Sequence, residues 1–150
     1  MRKAYPDFLN KEEADKLLDI SLGTILPLHP KFSKTDPNKE IIDKILNKLK
    51  EDFSFDIKNF SYYRTESKPE GHGWHIDTGN KGHMKWCEVG VSLLLQDGDT
   101  GGELQYKESE NSESISKVEK KVYTLYAHTS NVYHMVTPHT GKRIALLMFI

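Results

Sequence analysis

Glu88-Val89-Gly90-Val91-Ser92-Leu93-Leu94-Leu95-Gln96 reads as a β-strand, with Ser92, Leu94 and Gln96 alternating against Val91, Leu93 and Leu95 on opposite faces. The same texture fills the chain after Phe53: short segments rich in β-branched and aromatic residues, bounded by Gly, Asn, Asp and Pro clusters. The candidate strands are Ile57 to Arg64, Trp74 to Asp77, Glu88 to Gln96, Glu103 to Tyr106, Lys121 to Ala127, Val132 to Val136 and Arg143 to Ile150. Roughly seven short strands separated by turn signals predict a sandwich or barrel. Residues 107–120, full of Ser, Glu and Lys, have little to bury and read as a solvated hairpin insertion. No internal repeat is present.

Before Phe53 the periodicity is helical. Asn10 stands three before Glu13, a capping-box pattern, and Ala14, Leu17, Leu18 and Ile20 follow as an apolar stripe, so a helix is expected over about Lys11 to Ser21. Asp36-Pro37 then supplies a cap residue and a proline at a first helical position, ahead of Ile41, Ile42, Ile45, Leu46 and Leu49. That spacing predicts a second helix over about Pro37 to Asp52, with residues 23–36 as a connecting loop. The chain of 150 residues is thus expected to form one α+β domain, mainly β, with a helical part over 8–52 covering one face of a core over 57–150.

Composition narrows the function. An apolar share of 37% with 29% charged residues is that of a water-soluble domain, and no apolar run approaches the ~20 residues of a membrane span. Tyr5-Pro6-Asp7 follows the basic Met1-Arg2-Lys3 where a signal peptide would need apolar residues, so a cytoplasmic location is expected. A formal net charge of -1 supplies no field for phosphate backbones, which disfavours nucleic acid as a partner. The single cysteine, Cys87, cannot form an internal disulfide or a thiolate cluster and is expected to be a small buried hydrophobe.

Chemistry concentrates in four residues. His75 and Asp77 stand at i and i+2, which on a strand points both side chains to one face. His134 lies in the aromatic segment Val132 to Val136, which a closed double sheet can bring beside the first pair. Two imidazoles and one carboxylate make the facial triad that holds iron(II) and leaves three positions open, two for a chelating 2-oxo acid and one for dioxygen. Arg143 follows His134 by nine residues, past the turn Pro138-His139-Thr140-Gly141, where its guanidinium can pair bidentately with a carboxylate. Singly, each has an ordinary structural reading; in this order they are far more specific. The other histidines, His29, His72, His83, His128 and His139, have no place in the triad, although His72 and His139 are expected near its mouth. Trp74 and Trp86 read as packing residues.

On these residues the chain resembles the iron(II)/2-oxoglutarate dioxygenase superfamily, in particular its prolyl-4-hydroxylase-like branch. The resemblance runs through Phe8-Leu9-Asn10-Lys11-Glu12-Glu13, Gly73-Trp74-His75-Ile76-Asp77-Thr78, Ser92-Leu93-Leu94-Leu95-Gln96, Gly101-Gly102-Glu103-Leu104, His134-Met135-Val136-Thr137-Pro138 and Gly141-Lys142-Arg143. It implies a double-stranded β-helix, or jelly roll, with iron held by His75, Asp77 and His134 and the distal carboxylate of 2-oxoglutarate gripped by Arg143. It implies hydroxylation of a substrate C–H, on a small molecule or peptide such as a prolyl side chain, coupled to decarboxylation of 2-oxoglutarate. The implied cofactors are iron(II), 2-oxoglutarate and dioxygen, with ascorbate as an auxiliary reductant.

The family often has a tyrosine that bonds the distal carboxylate in the strand after the first ligands. Here that strand reads Leu93-Leu94-Leu95, so Tyr63, and after it Tyr62, are the expected replacements. Asp77 separates this chain from halogenating relatives, which carry a small residue there. The competing expectation is a non-catalytic jelly-roll metal-binding or sensor domain, and Arg143 argues against it, because a structural metal site needs no carboxylate clamp.

Overall fold

In this computed structural model, residues 1–78 and 84–150 are described, so His83 lies outside the described residues. Chain order begins with β1 (Arg2–Tyr5), α1 (Lys11–Leu18), β2 (Leu26–Pro27), α2 (Pro30–Ser33) and α3 (Lys39–Leu49). Strands then follow: β3 (Tyr62–Glu66), β4 (His72–His75), β5 (Val89–Gln96), β6 (Thr100–Gly101), β7 (Leu104–Lys107), β8 (Ser116–Lys117), β9 (Leu125–Thr129), β10 (Tyr133–Val136), β11 (His139–Thr140) and β12 (Ile144–Phe149).

The capping box starts α1 as the sequence predicts: Asn10 Oδ1 accepts from the Glu13 amide at 2.8 Å and Glu13 Oε1 accepts from the Asn10 amide at 3.1 Å. Lys44 Nζ donates to Glu13 Oε1 and to the Phe8 carbonyl, at 3.1 and 2.9 Å, and so ties α3 to the start of α1. The start of α3 falls two residues later than predicted. Asp36 is already engaged, its Oδ1 accepting from the Asn38 amide at 2.8 Å and its Oδ2 from the Tyr63 hydroxyl at 2.5 Å, so it shapes a turn ahead of the helix.

Antiparallel strands form a major sheet in the order β1-β9-β5-β12-β3-β2 and a minor sheet in the order β4-β10-β7-β8, with β11 and β6 paired separately. Period two sorts the major sheet cleanly. Tyr63, Val91, Leu93, Leu125, Ala127, Leu146 and Met148 join Leu17, Ile41, Ile45 and Leu49 of the helices in one buried core. Full burial of each such aliphatic side chain contributes about 1.5–3 kcal/mol. Arg64, Gly90, Ser92, His128 and Leu147, one residue out of phase, fall on the opposite face, toward the minor sheet. This is the expected jelly roll, helices outside and a lined interior between two sheets.

Several boundaries differ from the sequence reading. β3 begins at Tyr62 rather than Ile57 because Lys58 and Ser61 close a turn, with the Ser61 amide donating to the Lys58 carbonyl at 3.1 Å. β9 begins at Leu125 rather than Lys121, after Tyr123 takes a φ of 68°. The connecting loop of residues 23–36 contains β2 and α2, and β1 was not expected at all. Residues 107–120 do form a hairpin, with Gln105 opposite Lys117 and Tyr106 opposite Ser116.

Tyr63 is fully buried on the helix side. Its hydroxyl donates to a carboxylate, so Tyr63→Phe is expected to destabilise the fold by about 1.5–3 kcal/mol, the range for a hydrogen bond to a charged group. Denaturant unfolding measures this directly.

Candidate metal centre

β10 and β4 pair antiparallel with His134 opposite His75. Two residues further along, Val136 stands opposite His72, so β4 carries one extra residue as a bulge. The bulge turns His72 and His75, three apart, into one cavity together with Asp77, His128, His134 and Arg64. Asp77 was expected inside the strand. It lies instead just past the end of β4, where the chain bends and its amide donates to the Ser130 carbonyl at 3.0 Å, and this bond delivers the carboxylate to the histidines.

Each ligand candidate is aimed by a backbone partner. His75 Nδ1 lies 2.6 Å from the Gly73 carbonyl and His134 Nδ1 lies 2.9 Å from the Val132 carbonyl. Both rings therefore carry their proton on Nδ1 and present the Nε2 lone pair, the arrangement that fixes metal-binding imidazoles. Those Nε2 atoms lie 3.8 and 3.3 Å from Asp77 Oδ1. One donor atom from each of the three residues falls within 4.8 Å of the others. Two imidazole nitrogens and one carboxylate oxygen, converging from one side, are a donor set that fits iron(II).

The electrostatics agree with a ligand role. Burial disfavours the charged form of Asp77, but the hydrogen bond from His128 and the nearby His134 outweigh it and hold the carboxyl well below the usual range. Burial, reinforced by the neighbouring His134, lowers the His75 pKa and so favours the neutral ring. Asp77 and His134 are buried while the His75 side chain is 40% exposed, so the cavity opens to solvent on the His75 side.

Arg143 is 8% exposed just before β12, in phase with Ala145, Leu147 and Phe149 on the inner face. Its side chain runs against Gly102, where any Cβ would press into its Cδ and Nε. Its Nε is buried without a hydrogen-bond partner among the described residues. Arg143 and the triad share the wall residues Ser92 and Leu104, which line both the metal cavity and the small adjoining cavity holding the guanidinium. An orphaned buried donor on a residue that lines such a space suits an anion.

No protein-family model and no curated protein sequence matches the chain. Solved structures do. A prolyl-4-hydroxylase from Pseudomonas putida is 17% identical with a TM-score of 0.68, covering 99% of this chain and 91% of that one. The chain has the prolyl-4-hydroxylase fold. A viral collagen prolyl hydroxylase of Paramecium Bursaria Chlorella virus-1 matches at 16% identity and a TM-score of 0.66, with coverage of 99% and 94%. A prolyl hydroxylase from Trichoplax adhaerens, in complex with a hypoxia inducible factor oxygen degradation domain peptide fragment, matches at 17% and 0.66, with coverage of 99% and 83%.

Within that fold the expected tyrosine anchor needs correction. Tyr63 points to the helices and its hydroxyl is held by Asp36, so it does not reach the cavity. Tyr62, one residue out of phase, is on the inner side, its ring 5.2 Å from that of Phe149, which lines the cavity. Phe60, Trp86 and Tyr62 continue outward as an aromatic ladder, Trp86 lying 6.3 Å from each of the other two rings, and Phe60 is 68% exposed.

Two cavity residues were missed by the sequence reading. Arg64 lines the cavity with a buried Nε that has no partner among the described residues and an Nη2 3.3 Å from Glu66 Oε1. His128 Nε2 lies 2.7 Å from Asp77 Oδ2. Continuing the alternation of Leu125 and Ala127 by one residue would have placed His128 on the inner face. Of the remaining histidines, His72 lines the cavity and bonds Glu66 Oε2 at 2.8 Å, His29 caps α2, and His139 is buried beside Gly101 without lining the cavity. Trp74 packs under Lys107, whose Nζ stands 4.5 Å from its ring centre. Burial, with the charge of Asp77, pushes the Cys87 thiol up to about 12, which leaves it unreactive.

Proposed function

We propose that the chain is an iron(II)- and 2-oxoglutarate-dependent oxygenase that hydroxylates a C–H bond of a peptide or protein side chain, with proline as the first candidate. The observation that carries this reading is the convergence of His75 Nε2, His134 Nε2 and Asp77 Oδ1, each imidazole fixed through its own backbone carbonyl. Bound iron would supply activation of dioxygen. In the overall reaction substrate R–H, 2-oxoglutarate and dioxygen give R–OH, succinate and carbon dioxide.

The protein's share is placement and exclusion of water. Arg143 would neutralise the distal carboxylate of 2-oxoglutarate beyond Ser92 and Leu104, while Leu104, Val136 and Leu147 supply apolar wall. Substrate would enter where His75 is exposed. The Trichoplax adhaerens structure with its bound peptide supports a peptide substrate. The aromatic ladder from Phe60 to Phe149 offers rings on which an apolar side chain can rest. The buried Arg143 Nε, without a partner among the described residues, weighs against a sensor domain, where such a group would have no function.

Two measurements test the proposal. Under anaerobic conditions, iron(II) followed by 2-oxoglutarate should give the weak visible absorption of a chelated 2-oxo acid; folded protein without that band would refute the oxygenase reading. With oxygen admitted, succinate formation should rise well above background with proline-containing peptides. Stimulation by free amino acids alone would move the substrate class from peptides to small molecules.

A further inference from the structure

We propose that His128 is a positioning residue that holds Asp77 to a single metal-facing oxygen. The inference rests on the oxygenase reading of the same site. His128 is 3% exposed on β9, and its Nε2 lies 2.7 Å from Asp77 Oδ2. The other oxygen, Oδ1, is the one turned toward the Nε2 atoms of His75 and His134. Asp77 is a carboxylate, so the proton in the bond to Oδ2 belongs to His128, which donates it. On that tautomer Nδ1 is an acceptor, and the Tyr106 hydroxyl lies 3.5 Å from it.

The surrounding sheet is built around this pair. Gly90 of β5 stands opposite His128 in the register, and any Cβ there would press into both Asp77 Oδ2 and His128 Nε2. Tyr106 closes the other side, its ring meeting the His128 imidazole edge-on at 5.8 Å. A carboxylate can bind a metal through one oxygen or both, and a second bound oxygen would occupy a position that 2-oxoglutarate or dioxygen requires. Occupying Oδ2 with the His128 N–H prevents that and stops the carboxylate from turning.

The test compares His128→Phe, which fills the volume without a donor, with His128→Gln, whose amide can restore one. Cobalt(II) binding is followed by visible absorption and titration. Loss of the donor should weaken cobalt binding by roughly 10–100-fold in His128→Phe, the range for removing a hydrogen-bond partner behind a metal ligand, and His128→Gln should recover most of it. Unchanged affinity in folded His128→Phe would overturn the proposal while leaving the triad intact. An equal loss in both variants would also overturn it, by making His128 a ligand or a packing residue. A measurement on the unaltered, metal-free protein stands beside these: long-range ¹H–¹⁵N spectra should show His128 protonated at Nε2. The Nδ1–H tautomer would overturn the assignment whatever the variants do.

Discussion

Alanine in place of His75, Asp77 or His134 should each abolish useful iron binding, with a loss larger than the ~10–100-fold that accompanies removal of a partner behind a ligand. The reason is arithmetic in the donor set: the three residues contribute one donor atom each within 4.8 Å, and two remaining donors no longer define one face of an octahedron. Asp77→Ala should be the most damaging to the fold as well, since it strands the buried His128 N–H without its acceptor. Titration with iron(II) or cobalt(II), with thermal unfolding of the metal-free variants alongside, separates the two effects. If all three variants keep the affinity of the unaltered protein, the metal lies elsewhere.

Arg143→Ala should leave iron binding nearly intact and weaken 2-oxoglutarate. Truncating one member of a buried, hydrogen-bonded charge pair costs about 2–5 kcal/mol. At about 1.4 kcal/mol per factor of ten, the dissociation constant should rise on the order of 30-fold or more. Arg143→Lys should fall between, because an ammonium keeps the charge and loses the planar fork. Arg64→Ala is the necessary comparison, since Arg64 also lines the metal cavity, its Nε without a partner among the described residues. A large 2-oxoglutarate defect in Arg64→Ala and none in Arg143→Ala would exchange the two assignments. Equal loss of iron and 2-oxoglutarate in Arg143→Ala would make Arg143 a folding residue.

The features legible in the sequence are those set by local spacing. The capping box at Asn10, the stripe of Ile41, Ile45 and Leu49, and the alternation of Ser92 with Leu93 each state their own periodicity, and the structure follows them. The separation of His134 from Arg143 is likewise a property of one short connection. What was not legible depends on partners distant in the chain. β1 is largely exposed and shows no alternation; it is a strand because Arg2 to Tyr5 find β9 across the sheet. The sequence reading prefers Tyr63 to Tyr62, and the helices reverse that order by claiming one face of β3, where Asp36 takes the Tyr63 hydroxyl. Arg64 and Glu66 look like the wet side of a strand; in a jelly roll that side faces the second sheet. The bulge in β4 at Gly73 and Trp74 is fixed by pairing with the distant β10, and it decides that His72 and His75 share a cavity.

The strict odd and even sorting along β12 has an evolutionary consequence. Ile144, Leu146 and Met148 carry the attachment of the helices, while Leu147 and Phe149 line the chamber of the candidate metal site, and the two sets share no side chain. Point changes can therefore reshape the chamber without eroding folding, or repair folding without touching the chamber, and the two can drift at independent rates. Insertion or deletion of one residue does the opposite: it exchanges the sets wholesale, exposing the chamber's lining to the helices and the helices' footing to the chamber. Lineages derived from this chain should diversify along β12 by substitution and keep its length.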